Sequence, residues 1–540
     1  MSDNTYNGIT PETFAKILLE RVEEKRKEYE AANKDDKEKL AQLAKEISDV
    51  QSQRANLEAS YKKEMERREE AETKLKDYEG KVPAEALEKA REALGKKDIS
   101  GAEDFFKSAL EKAKVSVAKA KVSVEKAQGD AKLGAEAASQ LGNFAEGRVD
   151  YTAALKYYRQ AVELQPDDPA HLNKLGQMLY TLGRYPEAEK HYKKALAIRE
   201  KTSPDTEDLA TSLNNLAELY RAQGKYADAE PMYKRALGID EKALGSEHQL
   251  VATSLNNLAG LYKTQGKYTE AEPMFRRALE IRENALGKEH IDVANSLNNL
   301  AALYDSQGKY ADAEPMYKRA LGICENALGK EHINVATCLN NLALLYKAQG
   351  KYAEAEPMFR RALGIDEKAL GSEHQLVATG LYNLAELYSA QGKYADAEPM
   401  YKRALAIDEK ALGPDHPNVA IRLNNLAALY DSQGKYADAE PMYKRALAIV
   451  EKALGSEHQL VATCLNNLAE LYRAQGKYAD AEPLYRRALA ILEKAVGELH
   501  PNYITGLGNY ADCLQNMGRE KESADMRQRA AALQAKRGPQ

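Results

Sequence analysis

The chain has 540 residues, 30% of them charged, with 78 basic against 83 acidic side chains and a formal net charge of -5, so no excess of one sign asks for a nucleic-acid partner. No run approaches the roughly 18 apolar residues of a membrane span, and the start MSDNTYNGIT lacks the basic and apolar stretches of a secretory leader, so the expectation is a soluble, cytoplasmic protein with no membrane partner. The four cysteines, Cys324, Cys338, Cys464 and Cys513, show neither CxxC spacing nor disulfide density and read as small buried side chains in a reducing compartment.

Taken in order, residues 1–82 read as N-terminal helices. Thr10-Pro11-Glu12 supplies a cap and a proline at the first helical position, and Phe14, Ile17, Leu18, Val22 and Tyr29 make one apolar stripe. From Leu40, a heptad frame puts Leu43, Ile47, Val50, Leu57, Tyr61, Ala71, Leu75 and Tyr78 at the seam, interrupted by Arg54, Glu64 and Arg68. The spacing predicts a coiled coil over 40–78, roughly 58 Å long. A solvated helix folding back on its own chain is the alternative for the same residues. Gly80-Lys81-Val82-Pro83 then breaks the helix. Residues 83–150 are helical but irregular; the stretch from Ala102 to Leu110 reads as a degenerate repeat.

Clear repeats begin at Tyr151. Tyr151, Tyr158 and Ala161 return 34 residues on as Tyr185, Tyr192 and Ala195, giving two ordinary-length units over 151–204. The stretch that opens LNNLAELYRAQGKYADAEPMYKRAL at Leu213 then recurs every 42 residues, at Leu255, Leu297, Leu339, Leu381, Leu423 and Leu465, which makes seven long units over 205–498. In each, Leu213, Leu216, Ala217 and Tyr220 fall on one face of a helix A, and Gln223-Gly224-Lys225 stops it. A helix B carries Ala229, Met232, Tyr233, Ala236, Leu237 and Ile239 inward, with Pro231 near its start, and ends near Gly245. Ser246 is the cap-prone residue before the next helix A. Residues 499–540 hold a last unit in which Glu520 replaces the tyrosine, a polar cap and tail.

Two helices of this size cannot bury their stripes alone, so the hairpins must stack into an all-α superhelical solenoid of 42-residue helix-turn-helix repeats, preceded by the coiled-coil or helical N-terminal region. The order of small and large residues resembles the tetratricopeptide repeat. LNNLA, QGKYADAEPMYKRAL and the extension ending in Gly413-Pro414-Asp415-His416-Pro417 are similar to the repeats of kinesin light chains. That resemblance implies A helices on the concave side, a cargo-binding groove, and an N-terminal coiled coil for a second partner.

On helix A, Thr211, Asn215, Glu218 and Ala222 lie opposite the buried stripe. Asn215, Asn257, Asn299, Asn341, Asn383, Asn425 and Asn467 recur there, and an amide can satisfy both N–H and C=O of an extended peptide. The resemblance implies the same role for them; bonds between neighbouring A helices are the competing reading. Asn214, Asn256, Asn298, Asn340, Asn424 and Asn466, broken by Tyr382, read as bonds between repeats. What varies between units sets specificity: Arg221, Lys263, Lys347 and Arg473 are the basic groove-edge positions, with Asp305, Ser389 and Asp431 between them, which suits a ligand with acidic and then basic segments.

His248, His290, His332, His374, His416, His458 and His500 occur once per connector and read as caps or buttresses rather than as metal ligands. The sequence holds no GxxxxGK[ST], GxSxG, HExxH or strand-borne GxGxxG, and residues copied seven times make a poor single active site, so no enzyme activity, cofactor or metal is expected. The reading is a non-catalytic scaffold or adaptor that grips an extended peptide or protein in its groove and uses 40–78 to form a homo- or hetero-oligomer. A regulatory subunit holding a separate enzyme and a self-assembling structural array are the alternatives.

Overall fold

The computed structural model describes residues 104–112 and 124–537, together with Lys89 and Arg91. The expected coiled coil over 40–78 lies outside the described residues. Every regular element among the described residues is an α-helix. By contact the chain forms two compact units: one takes the described residues up to Leu179 with Lys190–Thr202 and Gly322–Ala336, the other Tyr180–Glu189, Ser203–Leu321 and the chain from Thr337 onward.

In the first unit, Val124–Gly147 pairs with Tyr151–Leu164, so Tyr151 opens the second helix of a hairpin whose first helix lies upstream. Gly142 permits that pairing: a Cβ there would come within 2.5 Å of the Tyr158 ring, whose hydroxyl bonds Asn143 and Glu146 at 2.9 and 2.7 Å. Residues 104–112 are helical and bury Phe106 and Leu110 in the same core as Leu141 and Phe144.

The second unit shows why one 42-residue sentence folds into one hairpin. Helix A of the first long unit, Glu207–Ala222, buries Leu213, Leu216, Ala217 and Tyr220 as its periodicity demands. It also buries Ser212 and Leu219, and in the next unit the equivalent Ser254 and Leu261 of Gln249–Thr264 are buried on the flank where helix B of the preceding hairpin, Tyr226–Leu244, packs. At its end Gly224 sits at φ +71°, the left-handed region. Lys225 N–H bonds Tyr220 C=O at 2.8 Å and Gly224 N–H bonds Arg221 C=O at 3.0 Å, a Schellman closure that satisfies carbonyls the helix leaves open. Helix B, Tyr226–Leu244, buries Ala229, Tyr233, Ala236 and Ile239, with Met232 and Leu237 half-buried. Pro231 lies inside this helix, past its first turn. The carbonyl it leaves without a donor is that of Ala227, an exposed residue, where water can replace the bond.

The cap of the next helix A differs from the expectation placed on Ser246. That hydroxyl bonds Glu247 instead, and His248 is the cap, its Nδ1 accepting from Leu250 N–H at 3.3 Å. His290, His374, His416, His458 and His500 cap their helices in the same way. A serine two residues from the cap position is too far back to reach the free N–H groups.

Successive hairpins are tied by a bond that spans repeats. Tyr262 donates to Glu230 at 3.0 Å, Tyr304 to Glu272 at 2.8 Å, Tyr430 to Glu398 at 3.0 Å and Tyr472 to Glu440 at 3.1 Å, each pair 32 residues apart. A lysine or arginine one turn along helix B holds the same carboxylate: Lys234 is 2.7 Å from Glu230 and Arg276 is 2.9 Å from Glu272. The C-terminal hairpin, Pro501–Asn516 with Glu520–Arg537, carries the array's last core through Leu533, while most of its outer helix is exposed.

One buried position varies from unit to unit. Asp240 accepts from Ser254 at 2.6 Å, Arg282 donates to Ser296 at 2.9 Å, and Asp408 accepts from Arg422 at 2.9 Å, all across the joint between one helix B and the next helix A. Val450 and Leu492 fill the same place with hydrocarbon. At Asp366 the facing residue is Gly380, and one carboxylate oxygen is buried without a hydrogen-bond partner among the described residues. Burial raises its pKa from 3.8 to about 6. A carboxyl that holds its proton more tightly when folded costs no stability below its unfolded pKa, and the cost grows as pH rises from about 4 to 6. Replacing it with the valine found at position 450 is therefore expected to stabilise the fold at pH 7 by on the order of 2 kcal/mol. Urea unfolding of Asp366→Val should show that gain at pH 7 and lose most of it at pH 4; an equal gain at both would refute the assignment.

Candidate functional site

Helix A is covered by its own helix B and by the preceding one, which leaves one stripe to solvent. In the first long unit that stripe is Thr211, Asn215, Glu218 and Ala222, exposed or half-buried as the helical wheel requires. Successive A helices also touch one another, Glu207–Ala222 against Gln249–Thr264 and Gln459–Ala474 against both Pro417–Ser432 and Pro501–Asn516. The stripe therefore lies on the side of the stack where successive A helices meet.

The seven recurring asparagines do not share one role. Asn299 donates to Asn256 of the preceding helix A at 3.4 Å, and Asn425 donates to the Tyr382 hydroxyl at 3.0 Å. Asn509, in the C-terminal hairpin, repeats the pattern with Asn466 at 3.1 Å. The side-chain amides of the other five, Asn215, Asn257, Asn341, Asn383 and Asn467, make no hydrogen bond within the described residues. Asn383 is buried, and the remaining four are half-buried with their amides open to the stripe.

The neighbouring asparagines turn the other way. Asn214 donates to Ser254 at 3.3 Å and Asn298 to the Cys338 sulfur at 3.4 Å, while Asn256 bonds back to the Ala252 carbonyl at 2.9 Å. The side-chain oxygens of Asn214, Asn298, Asn340 and Asn424 are buried with no partner among the described residues. Tyr382, which interrupts this series, forms the face on which the Arg422 guanidinium stacks at 4.5 Å while it pairs with Asp408.

The groove-edge charges are largely compensated from within. Arg221 clamps Glu218, on the same helix, at 2.5 and 2.9 Å, and Glu218 also accepts from Tyr233 at 2.8 Å and Tyr180 at 3.2 Å. Burial alone pushes Glu218 up, but these donors outweigh it and its pKa falls below the usual carboxylate value. Arg473 repeats the clamp with Glu470 at 2.7 Å, and Lys347 reaches Glu386 of the next unit at 3.1 Å. Lys263 is half-buried, its pKa lowered by burial and partly restored by Asp305. All four basic residues lie in the last turn of their A helices and are half-buried. Their carboxylate partners, three positions along the same helix or one unit away, are what spacing alone did not show.

Cys324, Cys338, Cys464 and Cys513 are buried and joined in no disulfide, and burial pushes the Cys464 thiol up to about 12, so it stays protonated and unreactive near neutral pH. Among the described residues, no three His, Cys, Asp or Glu side chains converge as a metal site, and no helix is long and apolar enough to cross a membrane.

The sequence profile of the tetratricopeptide repeat matches residues 135–201, 167–242, 250–326, 307–368, 376–452, 432–494 and 460–536. No curated protein matches the chain. Similar solved structures include a kinesin light chain-type protein of nearly identical TPR-like repeats from Podosopora anserina, 29% identical over 38% of this chain and 98% of that one, with a TM-score of 0.33. BtubC (BKLC) from P. vanneervenii is 28% identical over 42% of this chain and 92% of that chain, with a TM-score of 0.34. A Rap protein complexed with competence and sporulation factor is 17% identical over 68% of this chain and 98% of that chain, with a TM-score of 0.46. Hairpins of helix A and helix B, repeated through the described chain and matched by that profile from residue 135 to residue 536, identify the chain as a member of the tetratricopeptide repeat family.

Proposed function

We propose that the chain is a non-catalytic, cytoplasmic interaction scaffold that holds an extended peptide or protein segment along the inner stripe of its A helices. The observation that carries this reading is the row of half-buried amides at Asn215, Asn257, Asn341 and Asn467, each without a hydrogen bond inside the described residues. A half-desolvated amide gains most from a ligand that supplies both an N–H and a C=O, which every peptide unit does. Because the row repeats while its edges vary, the backbone supplies affinity and residues such as Lys263, Asp305 and Asp431 supply discrimination. Arg221, Lys347 and Arg473 take part by exchanging their internal carboxylates for those of a partner, so their contribution falls with salt. Residues 40–78 are proposed to dock a second protein or another copy.

The two classes of asparagine separate in stability. Asn299→Ala and Asn425→Ala remove bonds between repeats and are expected to cost about 1 kcal/mol each in urea unfolding. Asn215→Ala and Asn467→Ala should stay within about 0.5 kcal/mol of the unaltered chain.

Affinity capture should separate them the other way. The full chain, immobilised and challenged with a lysate, retains a partner identified by mass spectrometry, and replacing Asn215, Asn257, Asn341 and Asn467 together by alanine lowers that retention at least tenfold while the helical circular dichroism is unchanged. Undiminished retention by the quadruple variant would rule the amide row out as the binding surface.

A further inference from the structure

Two of the connector histidines make a second contact that nothing in their own repeat announces. Nε2 of His416 lies 3.1 Å from the carbonyl oxygen of Thr181, the last residue of the helix Pro169–Thr181 and 235 residues earlier in the chain. His458 makes the same kind of bond to the backbone of Ala222, the last residue of Glu207–Ala222. A separation of 235 residues is between five and six 42-residue units, so a late connector meets the end of a much earlier helix inside one compact unit.

The chemistry of the ring fits the two bonds together. A carbonyl only accepts, so Nε2 carries the proton, and Nδ1 is left to accept from Asn418 N–H at 3.0 Å in His416 and from Leu460 N–H at 3.1 Å in His458. One neutral tautomer therefore caps the N-terminus of its own helix and takes a C-terminal carbonyl of another, joining the positive end of one helix dipole to the negative end of the next. Burial lowers both pKa values to about 4, which keeps the rings neutral near pH 7.

The repeats supply their own control. GSEHQLVAT stands at 245–253 and again at 455–463, yet His248 is exposed and His458 is only 5% exposed, so the covering comes from the facing turn and not from the local sequence. On the receiving side, a Cβ at Gly183 would sit 2.7 Å from Pro417 and 2.9 Å from the His416 ring, and one at Gly224 would sit 3.1 Å from the His458 ring. The equivalent Gly392, Gly434 and Gly476 have nothing within 4 Å.

We propose that His416 and His458 act as a clasp: each takes the terminal carbonyl of an A helix between five and six repeats earlier, and together they hold those helix ends against the connectors of the later repeats. This stands whether or not the inner stripe binds a peptide.

Hydrogen–deuterium exchange on the full chain tests it through two copies of AQGKYA, at 222–227 beneath His458 and at 390–395, where Gly392 faces open space. With one hydrogen bond of ordinary strength at stake, 222–227 is expected to exchange about fivefold more slowly than 390–395. His458→Asn keeps a capping side chain but is too short to reach Ala222, so it should abolish that difference and leave 390–395 unchanged, while His248→Asn should alter neither. Equal exchange of the two hexapeptides in the unaltered chain, or a difference that survives His458→Asn, would overturn the clasp. If His458→Asn were to lose helicity, the comparison within the unaltered chain would still decide the matter.

Discussion

A helix A that cannot be buried by one partner is the constraint from which the architecture follows. In Gln249–Thr264, Leu255, Leu258, Ala259 and Tyr262 form the stripe toward its own helix B, but Ser254 and Leu261 are also buried, and helix B of the preceding hairpin packs on that flank. Stacking is therefore obligatory, and it has a by-product. With both flanks covered, helix A has one stripe left, and the units leave the same one except where Asn383 is buried. The tyrosine-to-glutamate bonds, 32 residues apart, then hold each hairpin in register with the next.

Copying a sentence seven times would give a uniform rod if nothing varied. Two of the places where the units vary are the buried joint between helix B and the next helix A, and the edge of the open stripe. At the joint, hydroxyl, guanidinium, carboxylate and hydrocarbon alternate, from the paired Asp408 and Arg422 to Val450. The joint also shows what repetition costs, since Asp366 keeps a carboxylate where Gly380 supplies no partner. At the edge, Arg221 and Glu218 form a closed cluster with Tyr233 and Tyr180, whereas Lys263 has only the longer-range support of Asp305. Neighbouring units with near-identical sequence thus differ in electrostatic character.

The fold was legible because its signals are local and repeated. Apolar spacing placed helix A, Gly224 placed the turn, and a glycine beyond helix B placed its end. The wheel that opposed Asn215 to Leu213 also found the open stripe, because helical geometry alone decides that. What the sequence did not disclose depends on contacts between units. The cap is a local exception: the sequence offered both Ser246 and His248, and position decides for His248. Asn299 and Asn425 were indistinguishable from Asn215 in sequence, and only the neighbouring helix shows that they are already engaged. A signal for the interlocking bonds was present in the constant interval between Glu230 and Tyr262, which recurs in later units, although nothing in a single unit points to it.

The central claim is that the open stripe of the A helices is where a partner's backbone lies. The most direct measurement is a crystal structure of the full chain bound to the protein it captures. The account predicts the partner's main-chain N–H and C=O groups at about 2.8–3.2 Å from the side-chain amides of Asn215, Asn257, Asn341 and Asn467. A partner seated on the outer faces of the B helices, with those four amides left to water, would contradict it.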